Sequence, residues 1–226
     1  MTAEDVIIHY VDRLRRAGAG NVDEYEARLR SNAKSLPTFN SFISEAVAAL
    51  MFLEYGADVT MRERPDLAVT LGGQNFYAEV KHFKRKIQDD VNDEALRNAP
   101  EFEMICVQDT TFIEGVTAYR QIADVAAKKA NQYVDGELNI LIIDSESDLL
   151  HLMARSAARE FSDMKRGMPP DSPLHRLNGI MVITSLFGVG RRRWNVDFAV
   201  TREPARRFGF RLLRVLAEIK VSGRNV

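Results

Sequence analysis

The chain has 226 residues, 46% hydrophobic and 28% charged, the balance of an ordinary soluble globular domain and not of a fibrous, disordered or membrane-embedded chain. A single cysteine, Cys106, excludes an intrachain disulfide and a cysteine-built zinc cage, and the N-terminal Met-Thr-Ala-Glu-Asp lacks the basic and apolar regions of a signal peptide, so a reducing, cytoplasmic setting is expected. The net charge is −1, yet residues 151–226 carry fifteen Lys and Arg against six Asp and Glu, and residues 1–150 carry sixteen against twenty-six, a division that suits a metal-using enzyme acting on a polyanion.

The first third reads as helical. Val6, Ile7, Tyr10, Val11 and Leu14 recur at helical spacing before Gly18-Ala19-Gly20, a second helical segment covers 25–36, and Pro37-Thr38 punctuates it. A third helix over 39–55 lines up Phe42, Ile43, Ala46, Val47, Leu50 and Leu53, and Gly56 suits its left-handed cap. The period then changes. Leu67, Val69 and Leu71 alternate, as do Phe76, Ala78 and Val80, with Gly72-Gly73 between them, which predicts a β-hairpin. Residues 84–118 read as a polar insertion with a strand at 102–107. A helix over 119–133, a doubly buried strand over 138–143, a helix over 147–166, strands at 179–186 and 194–201 around a basic Arg191-Arg192-Arg193 turn, and a helix over 208–220 complete the chain. The run 179–190 is the longest apolar-rich stretch, too short to span a bilayer, and no membrane insertion is expected.

The hairpin carries chemistry. Side chains alternate along a strand, so Glu79 and Lys81 share a face. With Gly72-Gly73 as a two-residue turn, Leu71 opposes Gln74 and Asp66 opposes Glu79; a one-residue shift sets Asp66 against Lys81 on that same face. Opposed carboxylates repel, and a divalent cation with a neighbouring ammonium group removes the conflict. A second Glu-x-Lys, Glu218-Ile219-Lys220, falls in a helix, where residues two apart cannot converge.

The stretch from Phe42 to Phe83, FISEAVAALMFLEYGADVTMRERPDLAVTLGGQNFYAEVKHF, resembles the start of the PD-(D/E)xK, or restriction-endonuclease-like, nuclease superfamily, with a likeness extending over residues 38–145. The resemblance implies an α/β fold, a mixed β-sheet core flanked by helices, here with a helical N-terminal extension over 1–37 and the nuclease-like unit over 38–226. It implies that Asp66 and Glu79 are metal ligands, with the Val80 carbonyl as a further ligand, that Lys81 is the catalytic lysine, that Glu45 matches the first-helix glutamate, and that Lys129 or Gln132 fills an auxiliary position on the following helix. The long polar insertion after Lys81 departs from the family pattern.

These readings converge on a Mg²⁺-dependent nuclease, with Mn²⁺ as a substitute, hydrolysing phosphodiester bonds of nucleic acid, DNA foremost. The alternative is a non-catalytic binding or assembly module on the same fold, and a homodimer is left open. Lys84, Arg85 and Lys86 after the hairpin, and Arg191, Arg192 and Arg193 with Trp194, are candidates for contact with phosphates and bases. His82 points away from Glu79 and is not counted as a ligand.

Overall fold

A computed structural model describes residues 2–84, 90–91, 94, 98, 117–146, 153–186, 193–202 and 207–222, with the side chains of 185–186, 193–195 and 220–222 excepted. Helix α1 (Ala3–Arg16) starts on a capping box: Thr2 Oγ1 accepts the Asp5 N–H, and the Asp5 carboxylate accepts the Thr2 N–H at 2.7 Å. Helices α2 (Val22–Ser31) and α3 (Leu36–Glu54) follow, and Pro37 sits in the first turn of α3, so it begins a helix where the sequence suggested a break. Gly56, at φ +76°, takes the left-handed conformation just beyond the end of α3.

Six strands form one open mixed sheet whose spatial order repeats the chain order: β1 (Asp58–Met61), β2 (Leu67–Leu71), β3 (Gln74–Phe83), β4 (Asn139–Ser145), β5 (Gly179–Leu186) and β6 (Arg193–Val200). The β1–β2, β2–β3 and β5–β6 pairs are antiparallel; β3–β4 and β4–β5 are parallel. Parallel neighbours require crossovers, supplied by segments that contain α4 (Ala118–Lys128) and α5 (Ala154–Lys165). Helix α6 (Phe210–Ser222) ends the described chain. The architecture is α/β.

Alternation along the strands divides the core in two. Ala78, Val80, Ile140, Ile142, Met181 and Ile183 pack with α3 and α6, and the buried faces of α1 and α2 (Ile7, Val11, Leu14, Tyr25, Leu29) join this same cluster. On the other side Leu141, Ile143, Ile180 and Val182 pack with Ile122 and Ala126 of α4 and with Ala158 and Phe161 of α5. All seven residues of β4 are buried, which explains why its sequence reads as a continuous apolar run. Helix α3 is long and apolar enough to cross a membrane by length and composition, and more than half of it is buried in the core. Among the described residues it is the one helix that meets this measure of length and composition.

The β2–β3 turn has φ +61° at Gly72 and +78° at Gly73, the pair of positive values that a type I′ hairpin needs. Leu71 pairs with Gln74 and Leu67 with Ala78, the first of the two registers considered. β1, which has only four residues, was not foreseen from sequence; the 102–107 strand lies outside the described residues.

Candidate active site

The two strands of the hairpin part company at Asp66. Its carbonyl oxygen turns away from β3 and accepts the Arg62 N–H at 2.8 Å. Its side chain bonds to β3 where the backbone ladder has ended, with Oδ2 accepting the Val80 N–H at 2.7 Å. In an extended chain a residue's C=O points the same way as its own N–H, so the Val80 carbonyl also faces the Asp66 side. The β2–β3 register places Asp66 level with Glu79, one step beyond the Leu67–Ala78 pair.

Glu79 is buried at 2% exposure, and its Oε1 accepts from Lys129 Nζ at 2.6 Å. The expected 119–133 helix is shorter than that: α4 stops at Lys128, Lys129 caps it, and a 3-10 turn spans Ala130–Gln132. Lys129 therefore reaches Glu79 from a helix end, and Gln132 closes the 3-10 turn that follows it. Gln132 is half-buried, with Oε1 enclosed and without a hydrogen bond. Lys81 is half-buried, two residues beyond Glu79 in β3, and its charge helps to lower the Glu79 pKa.

Glu45 enters from α3, 7% exposed. Burial first, then the negative charges of Asp66 and Glu79, push its carboxyl up to about 9, against the opposing charges of Arg28 and Lys129. Asp66 is raised to about 7 by burial and by Glu79, in opposition to the Val80 hydrogen bond. Glu79 is raised too, by burial, while the bond from Lys129 pulls it down. The three buried carboxyl groups thus resist carrying negative charge together.

The donor chemistry suits a hard cation: carboxylate oxygens, a backbone carbonyl, and two buried oxygens without hydrogen bonds, Glu45 Oε2 and Glu79 Oε2. Among the described residues, however, no three Asp, Glu, His or Cys side chains already stand in cation-holding arrangement, and Lys129 serves as the partner of Glu79.

His82 lies on the opposite face of β3, as expected. Its Nδ1 is 3.0 Å from Ser44 Oγ, and that hydroxyl donates to Asp144 Oδ2 at 2.6 Å. Asp144 is a strand residue within β4, paired with His82 and Ile183. Of the basic candidates, Lys84 is exposed just beyond β3. Arg193 and Trp194 have their backbones in β6, opposite Leu186 and Ser185; Trp194 was expected in this strand, and Arg193 lies in it where a basic turn was expected. Arg85, Lys86, Arg191 and Arg192 lie outside the described residues.

One residue that sequence reasoning missed is Arg28. Its Nη2 donates to the Arg62 carbonyl at 2.6 Å, and its guanidinium lies 6.0 Å from the Tyr25 ring centroid and 5.7 Å from that of Phe42. The Tyr25–Arg28 spacing, three apart on one helix face, was the only local signal. No local spacing connects α2 to Asp66. Comparison with protein-family models, with curated proteins and with solved structures finds no match for this chain.

Proposed function

We propose that this chain is a divalent-metal-dependent nuclease of the PD-(D/E)xK type, cleaving phosphodiester bonds of nucleic acid, DNA foremost. The observation that carries the reading is the burial together of Glu45 on α3, Asp66 just before β2 and Glu79 on β3, near enough for their charges to oppose one another. Buried carboxylates without a full set of partners are costly, and a site that pushes acid pKa values upward through burial and like charge is the kind used for catalysis.

In this reading Asp66, Glu79 and the Val80 carbonyl hold Mg²⁺ or Mn²⁺, and Glu45 supports a second ion or a bound water. The bound ion would supply Lewis-acid polarisation of the phosphoryl oxygen and a more acidic water. Lys81, on the Glu79 face, orients the attacking water or balances charge growing on the phosphoryl group. Lys129 balances Glu79, and the basic C-terminal half follows the phosphate backbone.

A specific test is to incubate wild type, Asp66→Ala and Lys81→Ala with Mg²⁺ or Mn²⁺ and mixed nucleic acids. Each variant is expected to lose on the order of 10²-fold or more in cleavage rate. Equal degradation by all three proteins would overturn the reading.

A second reading, a nuclease-fold binding or assembly module without catalysis, is favoured by the Lys129–Glu79 ion pair at 2.6 Å, in which an ammonium group already balances the carboxylate. Calorimetry separates the two: no heat of Mn²⁺ binding selects the module.

A further inference from the structure

Helix α2 is outside the stretch that resembles the nuclease superfamily, yet it is tied to the candidate site by three contacts. Tyr25 Oη donates to the Phe42 carbonyl at 2.5 Å, one helical turn before Glu45 on α3. Arg28, one turn further along α2, holds the Arg62 carbonyl, and the Arg62 N–H is the donor to the Asp66 carbonyl. The chain of bonds thus runs from α2 through the β1–β2 connection to a candidate metal ligand. The guanidinium is fixed in place by the rings of Tyr25 and Phe42, a geometry that orients its planar fork. Its Nε is enclosed and has no hydrogen-bond partner. It forms no ion pair with Glu45 or Asp66, although its positive charge is felt by both carboxyl groups.

A half-buried guanidinium held by one carbonyl and two rings, beside acids it does not touch, keeps its terminal fork in a fixed geometry that suits an anion. We infer that Arg28 is the phosphate-holding residue of this site, taking a non-bridging oxygen of the nucleic-acid backbone so that the strand lies over α2 as it approaches Asp66 and Glu79. The inference rests on the nuclease reading and adds its substrate contact: a phosphodiester held from the N-terminal helices as well as by the basic C-terminal half. Arg28 positions the strand and is not proposed to act on the reacting atoms.

The test uses the full chain. Binding of labelled duplex and single-stranded oligonucleotides is followed by anisotropy in an Asp66→Ala background, and kcat and KM are measured with Asp66 intact. Arg28→Ala is expected to weaken binding about ten-fold, to raise KM with kcat changed less than about two-fold, and to lower the slope of log affinity against log salt by about 0.7–0.9, the loss of one phosphate contact. Arg28→Lys restores the salt slope. Arg28→Gln keeps a donor for the Arg62 carbonyl without the charge, and carries the test if the alanine variant does not fold. Mn²⁺ affinity in the absence of nucleic acid is expected not to fall in either. Unchanged affinity and salt slope in a folded Arg28→Gln protein, with Asp66-dependent cleavage intact, would overturn the inference alone. A wild type that neither cleaves nor binds would overturn the nuclease reading, and this inference with it.

Discussion

Glu45 is the residue at which the cost of the site is most directly measurable. Its ordinary carboxyl value is 4.5, and in the fold it is raised to about 9. The folded state therefore holds the proton more tightly than the unfolded chain does, and the stability linked to it is complete below pH 4.5 and is lost as pH rises through 9. Asp66, raised from 3.8 to about 7, acts in the same direction over its own window. The melting temperature of wild type is expected to fall between pH 5 and 9, and Glu45→Gln, which cannot ionise, should flatten that fall; a parallel decline in both proteins would contradict the assignment. Lys129 offers the complementary test. Lys129→Met leaves Glu79 enclosed without its partner and is expected to cost about 1–3 kcal/mol in urea denaturation, below the figure for fully buried pairs because the lysine is 27% exposed. Mn²⁺ should recover more stability in that variant than in wild type, since it no longer competes with an ammonium group.

Among the elements, the hairpin best shows what a sequence can and cannot disclose. Period-two apolar runs around Gly72-Gly73 were enough to predict both strands and to narrow the pairing to two registers, of which the type I′ turn selects the one that sets Asp66 level with Glu79. The partner of Glu79 was harder to read: Lys129 lies fifty residues away, across a polar insertion, and meets it only because a parallel crossover returns α4 to that face. Arg28 was legible only as a helix-face neighbour of Tyr25, since its tie to Asp66 passes through the backbone of Arg62, which has no side-chain signature. Gly72 has a second duty. A Cβ there would stand 3.0 Å from the Cα of Leu212 in α6, at φ +61°. Gly72→Ala is expected to destabilise the fold by about 1–3 kcal/mol, read as a lower urea midpoint, whereas the same change at Gly73, where a Cβ meets nothing within 4 Å, should cost only the backbone strain.

At the scale of the molecule, α1 and α2 share one apolar cluster with α3 and the sheet. A chain beginning at Leu36 would bare the faces that Ile7, Leu14, Tyr25 and Leu29 cover, and it is expected to lose the near-ultraviolet circular dichroism of a fixed core. Retention of native dichroism by that fragment would show the two helices to be dispensable. The agreement of strand order with chain order has a further effect during synthesis on the ribosome. Each strand, as it emerges, finds its neighbour already made, so the sheet can grow in one direction without waiting for distant sequence. Glu45, Asp66, Glu79 and Lys129 can all be assembled once β4 has been translated, and α6, the last described helix to appear, closes against the Gly72 turn of the first hairpin.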